Sequence, residues 1–322
     1  MSARVLPAGE AESIAEAARI IRRGGLVAFP TETVYGLGAN AFDAQAVARV
    51  FEAKARPAFD PLIVHLLSAA ELPRVVRASD PRVTGLAERF WPGPLTLVLP
   101  RREELPEIVT AGLDSVGVRV PAHPAARALL AAARTPIAAP SANPFGYVSP
   151  TTAAHVVERL GDVVHLVLDG GPCPVGLEST ILSLVAEPPL VLRPGGVAKE
   201  QLERALGRTL AVAASSSRPT APGQLASHYA TRTPLRIVDD PRAPTGPGRV
   251  GLLAFGPRTG AGFAAVEVLA EDGSLTTAAA RLFAALRRLD ALGLDGIVAE
   301  RCPETGLGLA IMDRLRRAAA RD

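Results

Sequence analysis

The stretch LVAFPTETVYGLG, residues 26–38, holds the pattern that decides the fold. Its first four residues form a short apolar run, which predicts a buried strand over Leu26–Phe29. The segment before it, Glu10–Arg23, repeats apolar residues at helical spacing and stops at a glycine pair. The segment after it, Pro30–Gly38, is a polar loop whose glycines allow the backbone to approach a ligand closely. A helix, a buried strand and a polar loop in this order predict an α/β domain.

The same alternation continues toward the C-terminus. Asp43 suits the N-cap position of a second helix that ends near Lys54. Short apolar runs predict further strands at Leu62–Leu66, Leu95–Leu99, Val116–Val120, Pro136–Ala139, His165–Leu168, Ile181–Val185 and Leu190–Leu192. Helical patterns lie between several of these runs, so we predict one alternating α/β domain over residues 1–208.

A second unit follows a change in composition. Residues 213–223 are rich in Ser, Ala and Pro and cannot build a core, so we place a linker at residues 209–234. Residues 235–322 then predict a small accessory α/β domain. Its strands are expected at Leu235–Val238, Val250–Phe255, Ala265–Leu269 and Gly296–Ala299, and its helices at Leu275–Leu292 and Leu307–Ala320.

The overall composition is that of a globular protein with a mildly basic surface. The chain has 322 residues, of which 48% are hydrophobic and 21% charged, which is enough for two buried cores. Aromatic residues make up 4%, with Trp91 as the single tryptophan, and this argues against stacking platforms for single-stranded nucleic acid. A formal charge of +3 permits anionic ligands without indicating a DNA-wrapping protein.

The cysteines, histidines and N-terminus exclude several protein classes. Cys173 and Cys302 belong to no Cys-x-x-Cys pair, which argues against a zinc ribbon or a disulfide framework. The histidines are scattered, so we expect no transition-metal site. The start Met1–Val5 lacks a signal-peptide pattern, and no apolar run reaches the length of a membrane span. We therefore expect a soluble, cytoplasmic protein with no membrane association.

Lysine is nearly absent from the chain, and one of the two lysines stands beside an arginine. Only Lys54 and Lys199 occur among 35 basic residues. Lys54 and Arg56 bring an ammonium and a guanidinium close together, which suits a polyphosphate. The competing interpretation is a remnant lysine on a solvated helix end. No Gly-x-x-x-x-Gly-Lys-Ser/Thr loop and no Gly-x-Gly-x-x-Gly fingerprint are present, so any nucleotide is bound in another way.

Other polar residues stand in or beside predicted strands, where open α/β sheets gather ligands. Arg119 lies in the middle of a strand, which is costly unless an anion or a structural salt bridge compensates its charge. His65 also lies in an apolar strand, where a core histidine is the alternative. Ser141 and Asn143 are two residues apart, on one side of an extended backbone. Two further polar segments, Gly176–Thr180 and Leu192–Gly195, border predicted strands.

In this order the motifs resemble the YrdC-type domain, and the whole chain resembles the long, two-domain form of the L-threonylcarbamoyladenylate synthase family. The catalytic domain would cover Glu12–Leu206, the sequence PGQLASHYA at 222–230 is similar to the family's linker motif, and 306–315 to its C-terminal end. The resemblance implies a YrdC-like twisted mixed sheet with flanking helices and a smaller C-terminal Rossmann-like α/β domain.

The resemblance also implies the reaction. A nucleotidyltransferase of this family would combine ATP, L-threonine and bicarbonate, or the CO2 derived from it, into threonylcarbamoyl-AMP and pyrophosphate, with Mg2+. The product would feed the downstream machinery that forms threonylcarbamoyladenosine in tRNA.

Site residues follow from the matching motif positions. Lys54 and Arg56 would be the catalytic cations. The threonine side would consist of Thr33, His65, Arg119, Ser141 and Ser179, with Arg119 on the substrate carboxylate. The ATP side would consist of Lys54, Arg56, Asp60, Ser115, Asn143, Ser149, Arg193 and Tyr229, with no protein-held metal. Three positions depart from the family pattern: Asp60 stands where asparagine is usual, Gln224 where methionine is usual, and Thr231 where proline is usual.

Three alternatives stay open at this point. A basic surface allows a weak, salt-dependent RNA-binding property. Transfer of an unsubstituted carbamoyl group, as in larger hydrogenase-maturation proteins with a similar domain, is a second enzyme class, although the zinc-binding parts of those proteins have no counterpart in this composition. An ATP-binding scaffold without turnover is the third.

Overall fold

The computed structural model describes residues 3–78, 80–216, 219–241, 248–258 and 261–320. Met1 and Ser2 of the N-terminal stretch, and Ser217 and Arg218 of the predicted linker, lie outside the described residues. Within the described part of the chain, no helix is both long enough and apolar enough to cross a bilayer.

The first unit is built on an 11-stranded mixed sheet. Its strands in chain order are β1 (Arg4–Pro7), β2 (Val27–Phe29), β3 (Gly36–Asn40), β4 (Ile63–His65), β5 (Leu95–Pro100), β6 (Ser115–Arg119), β7 (Ile137–Ala138), β8 (Leu166–Asp169), β9 (Thr180–Ser183), β10 (Leu190–Arg193) and β11 (Ala211–Val212). Their spatial order is β1-β8-β2-β3-β7-β4-β6-β5-β9-β10-β11. Strand β4 pairs in parallel with β6 and antiparallel with β7, so the sheet mixes both directions at its centre.

Within the described residues, seven α-helices of this unit flank the sheet. They are α1 (Ala11–Arg22), α2 (Ala44–Lys54), α3 (Pro81–Phe90), α4 (Glu107–Thr110), α5 (Pro124–Ala133), α6 (Ala153–Leu160) and α7 (Lys199–Leu206). The predicted N-cap is confirmed, because the Asp43 carboxylate accepts hydrogen bonds from the first turn of α2 at 3.0 Å. At the other end of α2, Ala55 adopts a left-handed conformation with φ of 50°, which ends the helix directly after Lys54.

Alternate residues of the central strands face two different cores. Val27 and Phe29 pack with α1 and α5, whereas Ala28 packs with α2 on the opposite face. This alternation follows from the two-residue period of a strand. The sheet is therefore covered by helices on both faces, as in other α/β architectures.

The second unit is a smaller parallel α/β domain. Its strands are β12 (Leu235–Val238), β13 (Val250–Ala254), β14 (Ala265–Val268) and β15 (Gly296–Glu300), in the order β12-β15-β13-β14 and all parallel. Its helices are α8 (Leu275–Asp290) and α9 (Gly308–Ala319). The domain packs tightly against the first: a Cβ on Gly176 would lie 2.5 Å from the Ala280 Cα of α8. The mixed sheet with flanking helices and the smaller α/β domain confirm the expected fold class.

Two sequence expectations were wrong in detail. The polar loop expected over Pro30–Gly38 ends earlier, because Gly36–Asn40 forms β3, which pairs antiparallel with β2. Glycine is needed there, since a Cβ on Gly38 would lie 2.8 Å from the Phe29 and Ile137 side chains. Strand β11 pairs in parallel with β10 and extends the first sheet into the segment predicted as linker. The division at residues 208 and 234 stays a prediction.

Candidate active site

One cleft collects most of the polar residues that the sequence singled out. It lies between a face of the large sheet and the linker segment. Its walls include Thr33, Ile63, His65, Arg119, Ser141, Ser179, Arg193, Gly223, His228 and Tyr229. Residues that belong to distant parts of the sequence therefore meet at one place.

Strand register brings His65 and Arg119 together. These two residues are direct partners in the parallel pair of β4 and β6. Both side chains line the cleft, together with Ile63, which is two residues before His65 and so lies on the same sheet face. The predicted positions of a histidine and an arginine inside apolar strands are thus explained by a polar cleft on that face.

Arg119 contacts three neighbouring groups, one of which, Thr33, also lines the cleft. Its guanidinium forms a 2.6 Å ion pair with Glu32, donates to the Thr33 hydroxyl at 2.9 Å and donates to the Gly93 carbonyl at 3.3 Å. Burial raises the pKa of the Glu32 carboxyl, but the charge and hydrogen bond of Arg119, together with backbone hydrogen bonds, outweigh burial and lower that pKa. The structural salt bridge considered from the sequence therefore exists, and it orients the guanidinium toward the cleft.

Ser179 lies in the cleft between Thr96 and Arg193. Its hydroxyl lies 2.8 Å from the Thr96 hydroxyl and accepts a hydrogen bond from Arg193 at 3.3 Å. Arg193 also donates to the Ser179 carbonyl at 2.9 Å and to the Pro222 carbonyl of the linker at 3.2 Å. Arg119 ends β6, Arg193 ends β10, and Ser179 directly precedes β9. Because the sheet order is β6-β5-β9-β10, Ser179 lies between the two arginines.

Lys54 and Arg56 are buried beside the cleft rather than exposed on a helix end. The Lys54 ammonium donates to the Ser141 carbonyl at 2.7 Å and to the Asn143 carbonyl. Burial, reinforced by the nearby Arg56 charge, lowers the pKa of Lys54 well below its ordinary value. Among the described residues, Arg56 lines the cleft and Lys54 lies just behind its wall. The interpretation of Lys54 as a solvated remnant is wrong.

Asp60 faces a cation that compensates its negative charge. Its carboxylate lies 2.9 Å from the Arg56 guanidinium, which also donates to the Asp60 carbonyl at 2.9 Å and the Pro61 carbonyl at 2.8 Å. The ion pair is not aligned as a hydrogen bond, and neither Asp60 carboxylate oxygen has another partner among the described residues. Burial raises the pKa of this carboxyl.

Three further residues that the sequence predicted for the ATP side are Asn143, Ser149 and Ser115. Asn143 donates to the Pro144 and Tyr147 carbonyls at 2.9 and 2.8 Å. Ser149 is buried and donates to Glu178 at 2.6 Å. Ser115 lies apart from the main cleft, in a smaller cavity closed by Thr220, Ala221 and Pro222 of the linker segment.

The linker segment closes the cleft with a buried tyrosine. Tyr229 has a left-handed backbone, with φ of 62°, and its ring stacks on Phe283 of α8 at a centroid distance of 5.6 Å. Its hydroxyl lies over Gly223, where a Cβ would be only 2.7 Å away. The two departures in this segment have local partners: Gln224 accepts from the Thr220 and Ala221 amides at 2.7 and 2.9 Å, and Thr231 donates to the Thr233 carbonyl at 2.6 Å.

Several buried polar atoms around the cleft have no hydrogen-bond partner within the described residues. They are the Nδ1 atoms of His65 and His228, the Asn143 Oδ1 and the Tyr229 hydroxyl. Because buried polar atoms are normally paired, this cluster indicates a polar ligand. His228 and Glu178 also line the cleft. Both belong to motifs found in the sequence, but neither was predicted as a site residue.

The buried histidines predict a pH-dependent stability. Burial lowers the pKa of His65 and of His228 to about 3 each, whereas an unfolded histidine titrates near about 6.5. The unfolded chain therefore binds more protons in this window, and the free energy of unfolding should fall as the pH is lowered below about 6.5. Each histidine contributes about 1.4 kcal/mol per pH unit. Urea unfolding at several pH values measures this slope, and a His65→Gln variant with an undiminished slope would contradict the assignment.

A metal ion has few protein ligands here. Within the described residues, no group of three or more His, Cys, Asp or Glu side chains could hold a metal. Three buried carboxylates of the site, Glu32, Asp60 and Glu178, already pair with Arg119, Arg56 and Arg314. This donor set fits Mg2+ that is carried by substrate phosphates and keeps most of its waters.

The chain is similar to known proteins over nearly its whole length. Residues 19–195 match the family described as "Telomere recombination", and residues 197–320 match "Threonylcarbamoyl-AMP synthase, C-terminal domain". The threonylcarbamoyl-AMP synthase of Pyrococcus abyssi is 45% identical over 315 residues, covering 94% of this chain and 93% of that protein. The Bacillus subtilis protein of the same name is 43% identical over 320 residues, covering 95% and 92%. The crystal structure of P. abyssi Sua5 complexed with L-threonine has a TM-score of 0.90 at 42% identity, covering 96% of this chain and 95% of that one.

Proposed function

The chain belongs to the threonylcarbamoyl-AMP synthase family, and we propose that its cleft makes threonylcarbamoyl-AMP and pyrophosphate from ATP, L-threonine and bicarbonate or CO2. Membership confirms the resemblance carried by the sequence motifs. The protein is a nucleotidyltransferase-type enzyme that uses ATP and threonine. The carbon source, the metal and the roles of individual residues are what we add as proposals.

The proposal rests on one observation: a single cleft contains Arg119 on one side of Ser179, and Arg193 with Arg56 on the other. Arg119, with Thr33 and His65 beside it, suits the carboxylate of an amino acid. Arg193 and Arg56 lie on the other side of Ser179 and suit a triphosphate. Ser141 stands on the wall between these groups. A cleft that receives both anions can hold threonine and ATP within reach of each other.

The chemistry requires positioning more than covalent help. The threonine amine adds to CO2 and loses a proton, which gives a carbamate. A carbamate oxygen then attacks the α-phosphorus of ATP, and the bond from that phosphorus to the pyrophosphate oxygen breaks. We assign Lys54 and Arg56 to charge neutralisation at this centre, because developing negative charge is stabilised most by cations fixed in a water-poor site. Asn143, Ser149, Ser115 and Asp60 are proposed to hold the rest of the nucleotide.

Mg2+ is proposed to enter with ATP. When bound to the triphosphate, it would neutralise part of the phosphate charge and help to orient the leaving pyrophosphate. We propose that Asp60, whose carboxylate lies beside the Arg56 guanidinium, faces this ion. The protein's own contribution is the alignment of the two substrates by Arg119 and Arg193.

The closed linker is proposed to protect the product. A mixed anhydride such as threonylcarbamoyl-AMP hydrolyses in water, so exclusion of solvent by the buried Tyr229 would preserve it. We propose that a downstream transfer enzyme takes up this adenylate for threonylcarbamoyladenosine formation in tRNA. Weak direct RNA binding stays a secondary prediction. Two buried free cysteines, Cys173 and Cys302, support a reducing compartment such as the cytoplasm.

The test of the proposed function is detection of the product by mass spectrometry. The purified chain is incubated with ATP, Mg2+, L-threonine and isotope-labelled bicarbonate, and pyrophosphate release is followed in parallel. We expect threonylcarbamoyl-AMP that carries the isotope, and no product when ATP, threonine or bicarbonate is left out. ATP binding without product under short incubations would support the scaffold alternative instead. Product formed without label from bicarbonate would point to another carbamoyl donor.

A further inference from the structure

We propose that Arg314, on the last helix of the C-terminal domain, is a positioning residue for the ATP side of the active site. It would hold Glu178, the Pro194 carbonyl and Tyr229 in the arrangement that receives the nucleotide. This inference rests on the proposed function, because it names a further residue needed by that site. It also gives the C-terminal domain a direct part in the reaction.

Arg314 is fully buried between the two domains. Its guanidinium donates from Nε to the Glu178 carboxylate at 2.9 Å, from Nη2 to the Pro194 carbonyl at 2.9 Å, and from Nη1 to the Asp313 carboxylate at 2.5 Å. The guanidinium carbon also lies 4.9 Å from the centre of the Tyr229 ring, which is a cation–π distance. Although burial disfavours its charged form, the surrounding groups raise the pKa of Arg314, so the side chain stays cationic.

Two of these partners belong to segments that carry proposed substrate contacts. Glu178 directly precedes Ser179 and accepts the Ser149 hydroxyl at 2.6 Å on its other oxygen. Pro194 directly follows Arg193. The planar guanidinium of Arg314 therefore contacts both segments. The Gly196 amide also donates a hydrogen bond to the Glu178 carbonyl at 2.9 Å, which connects the same two segments. A displacement of Arg314 would shift both segments together.

The charge of Glu178 gives this contact a specific consequence. Glu178 lines the cleft on the side of Arg193, where we place the triphosphate. Burial raises the pKa of its carboxyl, but the Arg314 and Arg193 charges and the hydrogen bonds from Ser149 and Arg314 together outweigh burial and lower that pKa. Without Arg314, a buried anion would be compensated less well beside the phosphates, and it would repel them.

The helix that carries Arg314 is also joined to the linker segment. Arg317 donates to the Leu225 carbonyl, and its own carbonyl accepts from the His228 amide at 3.3 Å. Arg317 also donates to the Asp313 carboxylate at 3.0 Å. The same carboxylate accepts the hydrogen bond from Arg314. Helix α9 thus contacts the Glu178 segment, the Arg193 segment and the linker.

The alternative is a salt bridge that only joins the domains. ATP affinity of the full chain, measured by isothermal titration calorimetry, separates the two roles because it does not depend on turnover. We expect Arg314→Gln to weaken ATP binding about tenfold and to change threonine binding by less than about twofold. Arg316→Gln is the matched control: it lies on the same helix, is 46% exposed and pairs with the exposed Glu304, so its ATP affinity should equal that of the wild type.

A Glu178→Gln/Arg314→Gln double variant tests the mechanism of the effect. We expect it to recover only part of the ATP affinity, since no uncompensated anion remains beside the phosphates but the contacts of Arg314 to the Pro194 carbonyl and the Tyr229 ring are still missing. A folded Arg314→Gln variant with unchanged ATP affinity, or a double variant that recovers the affinity completely, would overturn the proposal. If Arg314→Gln does not fold, Arg314→Lys decides, because it keeps the charge and loses the planar fork. A loss of about threefold or more in that variant supports the proposal, and wild-type affinity overturns it.

The two proposals fail in different ways. Wild-type protein that binds ATP but makes no adenylate would remove the proposed function and leave the Arg314 result interpretable as nucleotide positioning. Adenylate synthesis with an Arg314→Gln variant that binds ATP normally would remove only the role of Arg314.

Discussion

Replacement of Lys54 by alanine is expected to lower the rate of threonylcarbamoyl-AMP formation about 100- to 1,000-fold, because one fixed cation at a charged transition state has an effect of this size. Its ammonium is held by the Ser141 and Asn143 carbonyls and lies beside Arg56. No other lysine can take its place, since Lys199 is the only other one in the chain.

Product formation by mass spectrometry and the thermal unfolding transition check this expectation together. The chain offers a matched control in Lys199→Ala, whose side chain lies on α7 and pairs with Glu203 at 2.6 Å. That variant should retain wild-type activity. A Lys54→Ala variant that unfolds cooperatively and keeps its activity would show that Arg56 and Arg193 suffice, and our assignment of Lys54 would be wrong.

Replacement of Arg119 by glutamine should raise the KM for threonine about 100-fold while the KM for ATP stays nearly constant. The reason is the loss of a charged partner for the substrate carboxylate in a buried site. The same change removes the ion-pair partner of the Glu32 carboxylate, which lies 2.6 Å from the Arg119 guanidinium in the native chain. We therefore also expect a free energy of unfolding lower by about 3–5 kcal/mol.

A Glu32→Gln/Arg119→Gln double variant separates the two consequences. Removal of both charges should restore much of the stability, because no unpaired charge stays buried. Threonine binding should remain weak, since the guanidinium is still missing. Steady-state kinetics in each substrate and urea unfolding give both quantities. Threonine affinity that returns together with stability would assign Arg119 a purely structural role.

Local features of the sequence predicted much of the fold. The N-cap of α2 at Asp43 and the strand β12 at Leu235–Val238 were predicted at their observed positions, because caps and apolar runs depend on neighbouring residues. Strand β3 escaped prediction, since its glycines have low strand propensity and its pairing with β2 stabilises it instead. Strand β11 was not predicted because it has only two residues, and only its pairing with β10 distinguishes it from a linker.

For the site as well, the sequence predicted individual residues but not the contacts between them. Motifs indicated Lys54, Arg56, His65, Arg119 and Ser179, and the cleft or its immediate wall contains all of them. Their partners were not predictable. The contact between Glu178 and Arg314 joins residues 136 positions apart, and a single sequence carries no signal that pairs such distant charges.

The sequence by itself determined the succession of helices and strands, the family and the residue types available for binding two anions, because propensity, period and motif are local properties. Only the tertiary structure decided which of those residues meet. It placed His65 opposite Arg119 through strand register, buried Lys54 behind the cleft, and brought Arg314 of the C-terminal domain to Glu178. Burial and pairing of charges depend on contacts between distant segments, and these form only when the chain folds.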